Sequence, residues 1–499
     1  MVDGAQINGT TQRLLAAGRV PAIAVLFGGF TVGFFLWYGL IAHFGSLHVL
    51  DDELLMLCLA GGISGAFTLW LQYSAALAAR STLPLRSILR WDALSWAALG
   101  CSWFGFAAPL DAEWSGRTIA LGIGLFCVLK MLAAARCDYA IREVLITFLV
   151  TRVPLIVIAE LAAVIIGQRA GEHISLSSNP LLNVWGRWDA THYIDIATHG
   201  YFGTDMAFFP LYPGLIALLG RLTGNHVVAG LLVSNTAFFC GLYYLYKLVE
   251  EYYDRGVAHR AIFYISIFPT AIFFSAVYTE SLFFALTVAA FYYIRKQQWV
   301  AAGLIGFFAA LTRVEGVLLI APMFIEMLAQ AKQATNWLSR IFALAATSSG
   351  LACYMAYLWV LQGDPLFFSH VQSHWDRHLA PPWASVWHSL HLISTTHVAT
   401  TVATQSLELT FTVFMLSLLL TGFRTMRHSF AAYTALSILV PMSTSSLMSM
   451  PRFALVLFPL FIVLAVWGRR PSVNNAIVSF SLPLLGLFTV LFADWYWVA

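Results

Sequence analysis

The stretch VWGRWDATHYIDIATHGYF, residues 184–202, lies between two long apolar segments and is rich in polar and aromatic side chains. Residues three or four apart share a face of a helix. One face would then carry Asp189, His192, Ile196 and His199. We predict a short helix on the membrane surface that holds a carboxylate just above the hydrocarbon boundary. An interfacial helix without a catalytic role, with Trp188 and Tyr193 as belt residues, fits the same composition.

The next stretch, AFFPLYPGLIALLGRL at residues 207–222, is apolar but contains two prolines. A spanning helix here would break the charge pattern of the flanking loops. We predict a re-entrant or interfacial segment, which is tolerated where it is buried in protein or lines a cavity.

The whole chain has 499 residues, of which 60% are hydrophobic and 10% are charged. Soluble proteins carry about 25% charged residues, and disordered chains have few apolar ones. Both classes are therefore excluded, and the chain is predicted to be a polytopic all-α membrane protein. A net charge of +3 without a long basic run gives no indication of a nucleic-acid partner.

About fifteen transmembrane helices are expected, since a span needs about 20 apolar residues. The apolar segments lie near residues 20–44, 51–79, 92–109, 117–134, 147–168, 226–246, 259–277, 281–296, 299–312, 314–330, 341–361, 405–423, 430–447, 453–468 and 472–493. Most of the 27 Lys and Arg fall on inner loops if the N-terminus is cytoplasmic. This orientation places the C-terminus and most histidines outside.

Two outer segments are long enough to hold a site, residues 169–225 and residues 362–404. Residues 1–145 contain four predicted spans and nothing that resembles catalytic machinery, so we interpret them as an added module of unknown role. Residues 146–499 would form the functional module.

Ionisable residues occur at three further outer turns, where their cost in a membrane indicates a function or a specific partner. PTAIFFSAVYTESLF (residues 269–283) contains Glu280, LTRVEG (residues 311–316) contains Arg313 and Glu315, and SMPRF (residues 449–453) contains Arg452. The alternative is a structural ion pair between Glu280 and Arg313 that braces adjacent helices.

The second long loop includes GDPLFFSHVQSHWDRHLAPPW, residues 363–383. His370, His374 and His378 have a spacing that can bind zinc on a helix, but the carboxylate of an HExxH motif is missing. We favour polar residues on one side of an outer helix.

Taken in order, WDATHYIDIATHGY, AFFPLYP, PTAIFFSAVYTESLF, LTRVEG and APPW resemble the PIG-V family of mannosyltransferases. The resemblance runs from about residue 147 to the C-terminus. It implies the GT-C fold of membrane glycosyltransferases, whose eukaryotic PIG-V members add the second mannose of the GPI anchor in the endoplasmic reticulum. Because the loops are short, we expect a bacterial member in the inner membrane; a eukaryotic member would lie in the endoplasmic reticulum.

The resemblance implies an inverting transfer of a sugar, expected to be mannose, from a polyprenyl-phosphate donor to an acceptor hydroxyl outside the cytoplasm. Asp189 would be the base, and His192 would orient it or bind the acceptor. Arg313 and Arg452 would stabilise the leaving lipid phosphate. No cofactor and no metal ion are expected, because arginines suffice for a monophosphate.

The remaining predicted substrate contacts are carboxylates and indoles. Glu280 and Glu315 would hold sugar hydroxyls or position the arginines, and Trp188, Trp375 and Trp383 would stack on a sugar. The acceptor stays open among a glycolipid, a polysaccharide and a protein side chain. A transporter or flippase of lipid-linked sugars is the alternative, although it should show paired broken helices and inverted repeats. A non-catalytic partner of another glycosyltransferase is a third possibility.

Overall fold

The structure is a computed structural model that describes residues 138–166, 174–177, 179–331 and 336–498. Within these residues every regular element is a helix, apart from an isolated antiparallel bridge between Leu379 and Thr444. The predicted all-α class is confirmed.

The chain divides into two compact units, of which the larger comprises residues 143–221 and 225–499. Apart from residues 138–142 and 222–224, every described residue belongs to the larger unit. The predicted module of residues 1–145, with its four spans, lies outside the described residues except for its last turn or two. Its boundary and its role stay predictions.

The first half of the described chain contains nine α-helices. They are α1 (Tyr139–Ile165), α2 (Pro180–Asn183), α3 (Ala190–His199), α4 (Leu211–Thr223), α5 (His226–Tyr252), α6 (Arg255–Ser266), α7 (Glu280–Arg295), α8 (Trp299–Ala310) and α9 (Ile320–Ala329). Short 3₁₀ helices occupy Gly203–Ala207, Ala271–Phe274 and Val314–Leu319.

The second half of the described chain contains eight more. They are α10 (Trp337–Gln362), α11 (Phe367–His370), α12 (Pro382–Thr395), α13 (Ala399–Gly422), α14 (His428–Met442), α15 (Met450–Val456), α16 (Phe458–Trp467) and α17 (Pro471–Ala493). A 3₁₀ helix, Val371–Trp375, follows α11.

Five of the described helices are long and apolar enough to cross a membrane, namely α1, α5, α10, α13 and α17. A sixth span results if α15 and α16, which meet at a 71° bend, are counted together. The protein is an integral membrane protein. The total of about fifteen spans stays a prediction, since four of the predicted segments lie outside the described residues.

Several predicted spans are helices too short to cross a bilayer alone. At 1.5 Å per residue, the 16 residues of α7 and the 12 residues of α8 fall short of a hydrocarbon core of about 30 Å. Most residues of α7 and α16 are buried among other helices. A short apolar sequence window cannot distinguish such a core helix from a span, because both are apolar on every side.

Irregular backbone lies in the interior at residues 269–280, which are buried throughout. Polar backbone groups are satisfied there by other segments: Val277 N donates to Trp185 O over 3.1 Å, and Arg152 Nη1 donates to Ala271 O over 2.8 Å. Tyr278 Oη donates to Arg187 O over 2.9 Å. The predicted outer turn before Glu280 is therefore a turn covered by protein, a setting that permits irregular backbone at membrane depth.

The end of α5, the start of α14 and the end of α16 are joined by contacts that include the basic side chains of Arg427 and Arg469. Tyr253 Oη, just after α5, donates to Thr425 O over 2.9 Å, and Arg469 Nη2, after α16, bonds to Asp254 Oδ2 over 2.5 Å. Arg427, just before α14, lies with its guanidinium carbon 4.8 Å from the ring centroid of Tyr252. By the positive-inside rule this end would be the cytoplasmic one, and the orientation stays a prediction.

Small residues allow α8 and α10 to pack backbone to backbone. A Cβ added at Gly350 would lie 2.3 Å from Phe307 O, and one at Gly303 would lie 2.5 Å from the Ala343 Cα. Close approach at glycine is a common means of helix association in membranes.

We predict that Gly350→Ala destabilises the protein by about 1–3 kcal/mol, because the new methyl group meets backbone that cannot move away. Gly486→Ala is the matched control, since a Cβ there meets no atom within 4 Å. Thermal unfolding in detergent checks this. Equal midpoints for the two variants would show that the interface relaxes.

Candidate active site

A cavity of about 700 Å³ lies where the start of α3, the turn after α8, the loop before α12, the start of α15 and the end of α17 meet. Its polar wall is formed by Asp189, Thr191, His192, Thr279, Thr312, Arg313, Glu315, Gln372, Arg377, Ser449 and Arg452. Its aromatic wall is formed by Trp188, Tyr193, Phe208, Phe209, Phe368, Trp375, Phe453, Trp495 and Trp497. The cavity thus joins a cluster of charges to an apolar surface.

Asp189 stands at the first position before α3 and faces the cavity. The predicted helix is present, although it begins at Ala190 and buries Tyr193, Ile194 and Ile196. The Asp189 carboxylate does not cap the helix. Its Oδ2 instead accepts a hydrogen bond from Arg452 Nη1 over 2.5 Å, so a side chain that usually satisfies the helix backbone serves the cavity here.

A continuous chain of ion pairs crosses the floor of the cavity. Arg452 binds Asp189 and, through Nε, Glu280 Oε1 over 2.7 Å. Arg313 Nη1 lies 3.2 Å from the same Glu280 oxygen, and its Nε lies 3.5 Å from Glu315 Oε2. The structure therefore brings together all five ionisable residues that the sequence placed at separate outer positions. The ion pair between Glu280 and Arg313, which was predicted as a possible brace between adjacent helices, is one link in this row of ion pairs.

Glu280 is the centre of this ionic chain. Its side chain has no solvent exposure, and Oε2 has no hydrogen-bond partner among the described residues. The Arg452 guanidinium lies 4.8 Å from the ring centroid of Tyr278, and the Arg313 guanidinium lies 5.2 Å from that of Phe453. Aromatic faces thus shield both cations from water.

The break between α15 and α16 places Arg452. Ser449 has φ 72°, in the left-handed region, and Pro451 follows in the first turn of α15. The short helix buries Arg452 to 5% exposure and then bends by 71°. The predicted outer turn before a span is thus a helix broken inside the protein.

Gly316 sets the position of Glu315. A Cβ at this residue would lie 2.3 Å from the carbonyl carbon and oxygen of Ala309. Only a glycine lets the 3₁₀ helix pack directly beneath the end of α8. The LTRVEG motif therefore holds two charged side chains and the small residue that positions them.

His192 forms a second polar pair in the cavity. Its Nδ1 lies 2.7 Å from Asp205 Oδ1, and its ring stacks on Phe208 with centroids 4.6 Å apart. Trp375 stands edge-on to the same histidine at 6.1 Å. The predicted alternative in which His192 orients Asp189 is not what the hydrogen bonds show, because its carboxylate partner is Asp205. Asp205 was not among the predicted site residues, because no motif in the sequence links it to His192, which lies 13 positions earlier.

Two residues after α17, Trp495 and Trp497, belong to the aromatic wall and were not predicted from the sequence. Trp188 makes edge contacts with Trp495 and Trp497, with centroids 5.7 Å and 5.3 Å apart. Arg187 is buried behind them, its guanidinium carbon 4.7 Å from the Trp495 ring centroid. Burial lowers the pKa of Arg187 to about 10, while Asp494 opposes this shift. Trp188 and Trp495 both have left-handed φ angles, of 53° and 65°, as strained residues at functional sites often do.

Trp383 is not part of the cavity, although we predicted that it binds substrate. It lies in the first turn of α12 with 73% of its surface exposed, and it is absent from the cavity wall. Pro381 is the residue before this helix, which begins at Pro382. Trp375, on the preceding 3₁₀ helix, lines the cavity instead.

The histidines of the same loop do not form a zinc site. His370 Nδ1 lies 2.6 Å from Asp364 Oδ2, and His374 packs on Trp375. Among the residues that the structure describes, no group of three or more His, Cys, Asp or Glu side chains is placed to hold a metal ion. The three histidines are exposed, but they occupy two short helical turns and a loop rather than one side of an outer helix, so the favoured interpretation is wrong about the helix.

Arg377 also lines the cavity and was overlooked beside these histidines. Its Nε is buried without a hydrogen-bond partner among the described residues. Burial lowers its pKa, an effect that Glu315 and Glu408 counter.

Part of the chain is similar to a known family. Residues 138–344 match the mannosyltransferase (PIG-V) family. The match covers about two fifths of the chain and confirms the resemblance seen in the motifs. It includes Asp189, His192, Glu280, Arg313 and Glu315, whereas the cavity-lining residues from Phe368 onward lie beyond it.

The curated proteins that are similar to this chain come from fungi. GPI mannosyltransferase 2 of Schizosaccharomyces pombe is 34% identical over 140 residues, which are 27% of this chain and 30% of that protein. GPI mannosyltransferase 2 of Cryptococcus neoformans is 32% identical over 135 residues, 24% and 31% of the two chains. The chain thus spans less than a third of the length of these relatives. They give no support to the expected bacterial origin, which stays a prediction.

Two solved structures show a distant likeness. ArnT from Cupriavidus metallidurans, bound to undecaprenyl phosphate, is 10% identical with a TM-score of 0.41 over 68% of this chain and 75% of its own. The Archaeoglobus fulgidus oligosaccharyltransferase in its apo form is 13% identical with a TM-score of 0.36 over 69% and 56%.

We predict that Glu280→Gln destabilises the protein by roughly 3–5 kcal/mol, because two buried guanidiniums lose their shared counter-charge. Glu251→Gln is the control, since that half-buried carboxylate also lies between two cations, Arg295 and Lys296, at 3.4 Å and 2.8 Å. In that wetter setting the loss should stay below about 1 kcal/mol. Unfolding midpoints in detergent measure both, and a Glu280 variant as stable as its control would refute the shared role.

Proposed function

We propose that the protein transfers a mannosyl group, with inversion, from a polyprenyl-phosphate carrier to an acceptor hydroxyl. The observation that carries this proposal is that two carboxylates, three arginines and an aromatic wall converge in one cavity of a chain that matches the PIG-V family over residues 138–344. The GT-C architecture expected from the motifs rests on the same match. The carrier, the sugar and the acceptor all belong to the proposal.

Asp189 suits the role of the base. Inverting transfer requires that the acceptor oxygen attacks the sugar C1 while the bond from C1 to the phosphate oxygen breaks, and a base must take the hydroxyl proton. One carboxylate oxygen of Asp189 is held by Arg452, and Oδ1 accepts no hydrogen bond from the described residues. The side chain is 26% exposed, so Oδ1 is accessible to an acceptor in the cavity.

Arg452 and Arg313 are better suited to positioning carboxylates than to the phosphate role first expected. Each guanidinium is shared by two carboxylates, which consumes donors that a phosphate would need. Arg452 fixes the orientation of Asp189, and Arg313 fixes Glu315, which lines the cavity within reach of a sugar hydroxyl. Preorganised groups of this kind lower the cost of reaching the transition state.

His192 and the aromatic wall would bind the acceptor and the sugar. Asp205 holds the His192 ring in a fixed orientation, and Phe208 and Trp375 confine it. Trp188 and Trp375 offer rings against which a sugar face can stack. Of the three indoles predicted to stack on a sugar, Trp188 and Trp375 line the cavity and Trp383 does not.

The cavity is proposed to face the extracytoplasmic or luminal side, because basic residues collect at the other helix ends. The compartment follows the source of the chain: the endoplasmic reticulum in a eukaryote, the inner membrane in a bacterium. The fungal relatives are named GPI mannosyltransferases, which makes a mannose-bearing glycolipid the first acceptor to test. A polysaccharide or a protein hydroxyl remains an alternative acceptor.

A flippase would use the same lipid but leave the glycosidic bond intact. The described residues contain one bent helix pair, α15 and α16, rather than the two broken helices of an inverted repeat. The flippase hypothesis therefore has little structural support, and the following experiment separates it from transfer.

We predict that Asp189→Asn lowers the transfer rate about 10²- to 10⁴-fold, the usual contribution of a general base. Asparagine has the same size and keeps an oxygen for Arg452, so binding of donor lipid should persist. Purified protein, polyprenyl-phosphate mannose and a glycolipid acceptor provide the assay, with product detected by mass spectrometry.

Asp195→Asn is the matched control, because the same change on an exposed residue of the same helix should leave the rate unchanged. Undiminished transfer by Asp189→Asn would eliminate Asp189 as the base. Movement of intact donor across vesicles without any transfer product would favour the flippase.

We also predict that transfer does not depend on a metal ion, because arginines can stabilise a leaving monophosphate. EDTA should leave the rate within about twofold of the untreated enzyme. A loss of activity that Mn²⁺ or Ca²⁺ restores would contradict this prediction.

A further inference from the structure

The charges in the cavity do not balance within the ionic chain. Three carboxylates, of Asp189, Glu280 and Glu315, share two guanidiniums, of Arg313 and Arg452. This row of ion pairs therefore has one more negative charge than positive charges. A phosphate that approached Arg313 or Arg452 would meet these carboxylates at close range, where like charges repel strongly.

Arg377 is the cation of the cavity that lies outside this chain. Among the described residues that line the cavity, it is the arginine without an ion pair, and its buried Nε has no hydrogen-bond partner. A buried guanidinium nitrogen without a partner is costly, and it indicates a ligand that supplies the missing acceptor. Glu315 and Glu408 influence Arg377 electrostatically but form no ion pair with it.

The loop that carries Arg377 is held in place by main-chain bonds. Ser445 N donates to His378 O over 2.9 Å, and Ala380 N donates to Ser443 O over 3.1 Å. Ser445 Oγ donates to Asp376 O over 2.7 Å. Arg377 therefore projects from a fixed backbone rather than from a loose loop, which is what an anion site requires.

The surroundings of Arg377 suit a lipid better than a free sugar phosphate. Phe368, Gln372 and Trp375 come from the same loop, and Met448 comes from the segment bonded to it. Phe368, Trp375 and Met448 thus give the same cavity apolar side chains against which a hydrocarbon chain could pack.

We propose that Arg377 binds the phosphate of the lipid carrier, while Arg313 and Arg452 hold the catalytic carboxylates. This assignment rests on the proposed function, and it adds a residue that lies outside the PIG-V match of residues 138–344. The guanidinium fork would pair with two phosphate oxygens in the donor. When the bond from C1 to oxygen breaks, the same fork would stabilise the second negative charge that develops on the released lipid phosphate.

The test measures binding of radiolabelled, sugar-free polyprenyl phosphate to the purified full-length protein in detergent. Arg377→Gln should raise the dissociation constant about 10- to 100-fold, the usual effect of losing a charge-assisted hydrogen bond to phosphate. Arg377→Lys, which keeps the charge but loses the fork, should fall between that variant and the unaltered protein. Arg470→Gln, the same change at an exposed position before α17, should have no effect.

Two further ligands isolate the phosphate and its source. Polyprenol, which has no phosphate, should bind equally to the unaltered protein and to Arg377→Gln. Inorganic phosphate should displace the lipid only at concentrations far above those of the lipid itself. Displacement at equal concentration would identify a site for free phosphate and overturn the lipid assignment.

The two proposals fail in different ways. If Arg377→Gln binds polyprenyl phosphate as well as the unaltered protein and mannosyl transfer persists, the assignment of Arg377 is wrong and the proposed function stands. If the unaltered protein does not bind polyprenyl phosphate, both are wrong. A selective rise in the donor KM of Arg377→Gln, with the acceptor KM unchanged, would support the assignment.

Discussion

The buried carboxylate of Glu280 holds together the charged residues at the cavity. A charge without solvent contact is tolerated only when partners compensate it, and both partners here are arginines from distant parts of the chain. One of them continues to Asp189 and the other to Glu315, so three functional positions depend on one carboxylate. The alternatives of a structural brace and a substrate site are therefore not exclusive. The brace sets the geometry of the groups that would react.

Short helices make this arrangement possible. If α7, α8 and α16 were all full membrane spans, their polar ends would reach the bilayer surface and separate. Because they stop early, Glu280, Arg313 and Arg452 meet beneath a cover formed by the loops and the aromatic wall. The irregular backbone before Glu280 is stable there because other segments supply its hydrogen-bond partners. The ion pairs thereby operate in a medium of low dielectric, where they orient their partners more strongly than at the surface.

Sequence patterns predicted the helical class, the short helix after Asp189 and the ionisable residues that meet in the cavity, because charged groups are rare and costly in an apolar chain. They did not predict which turns are buried, because a short apolar segment has the same composition in a buried core helix as in a membrane span. Trp383 was predicted together with Trp188 and Trp375, but its 73% exposure depends on how α12 packs, which the motif APPW does not reveal. Arg377 was missed beside a histidine repeat, and the contribution of Trp495 and Trp497 required a contact across some 300 positions.

The contact of Trp188 with Trp495 and Trp497 has a consequence for the order of biogenesis. Chains are synthesised and fold from the N-terminus, at about 5–20 residues per second. Asp189 must therefore wait for Arg452, and the cavity wall must wait longer, until Trp495 and Trp497 have left the ribosome. A nascent chain that already exposes the helix of Asp189 would have neither a shaped cavity nor an oriented carboxylate. A complete cavity wall can therefore form only after Trp495 and Trp497 have been made, some 300 positions after Trp188.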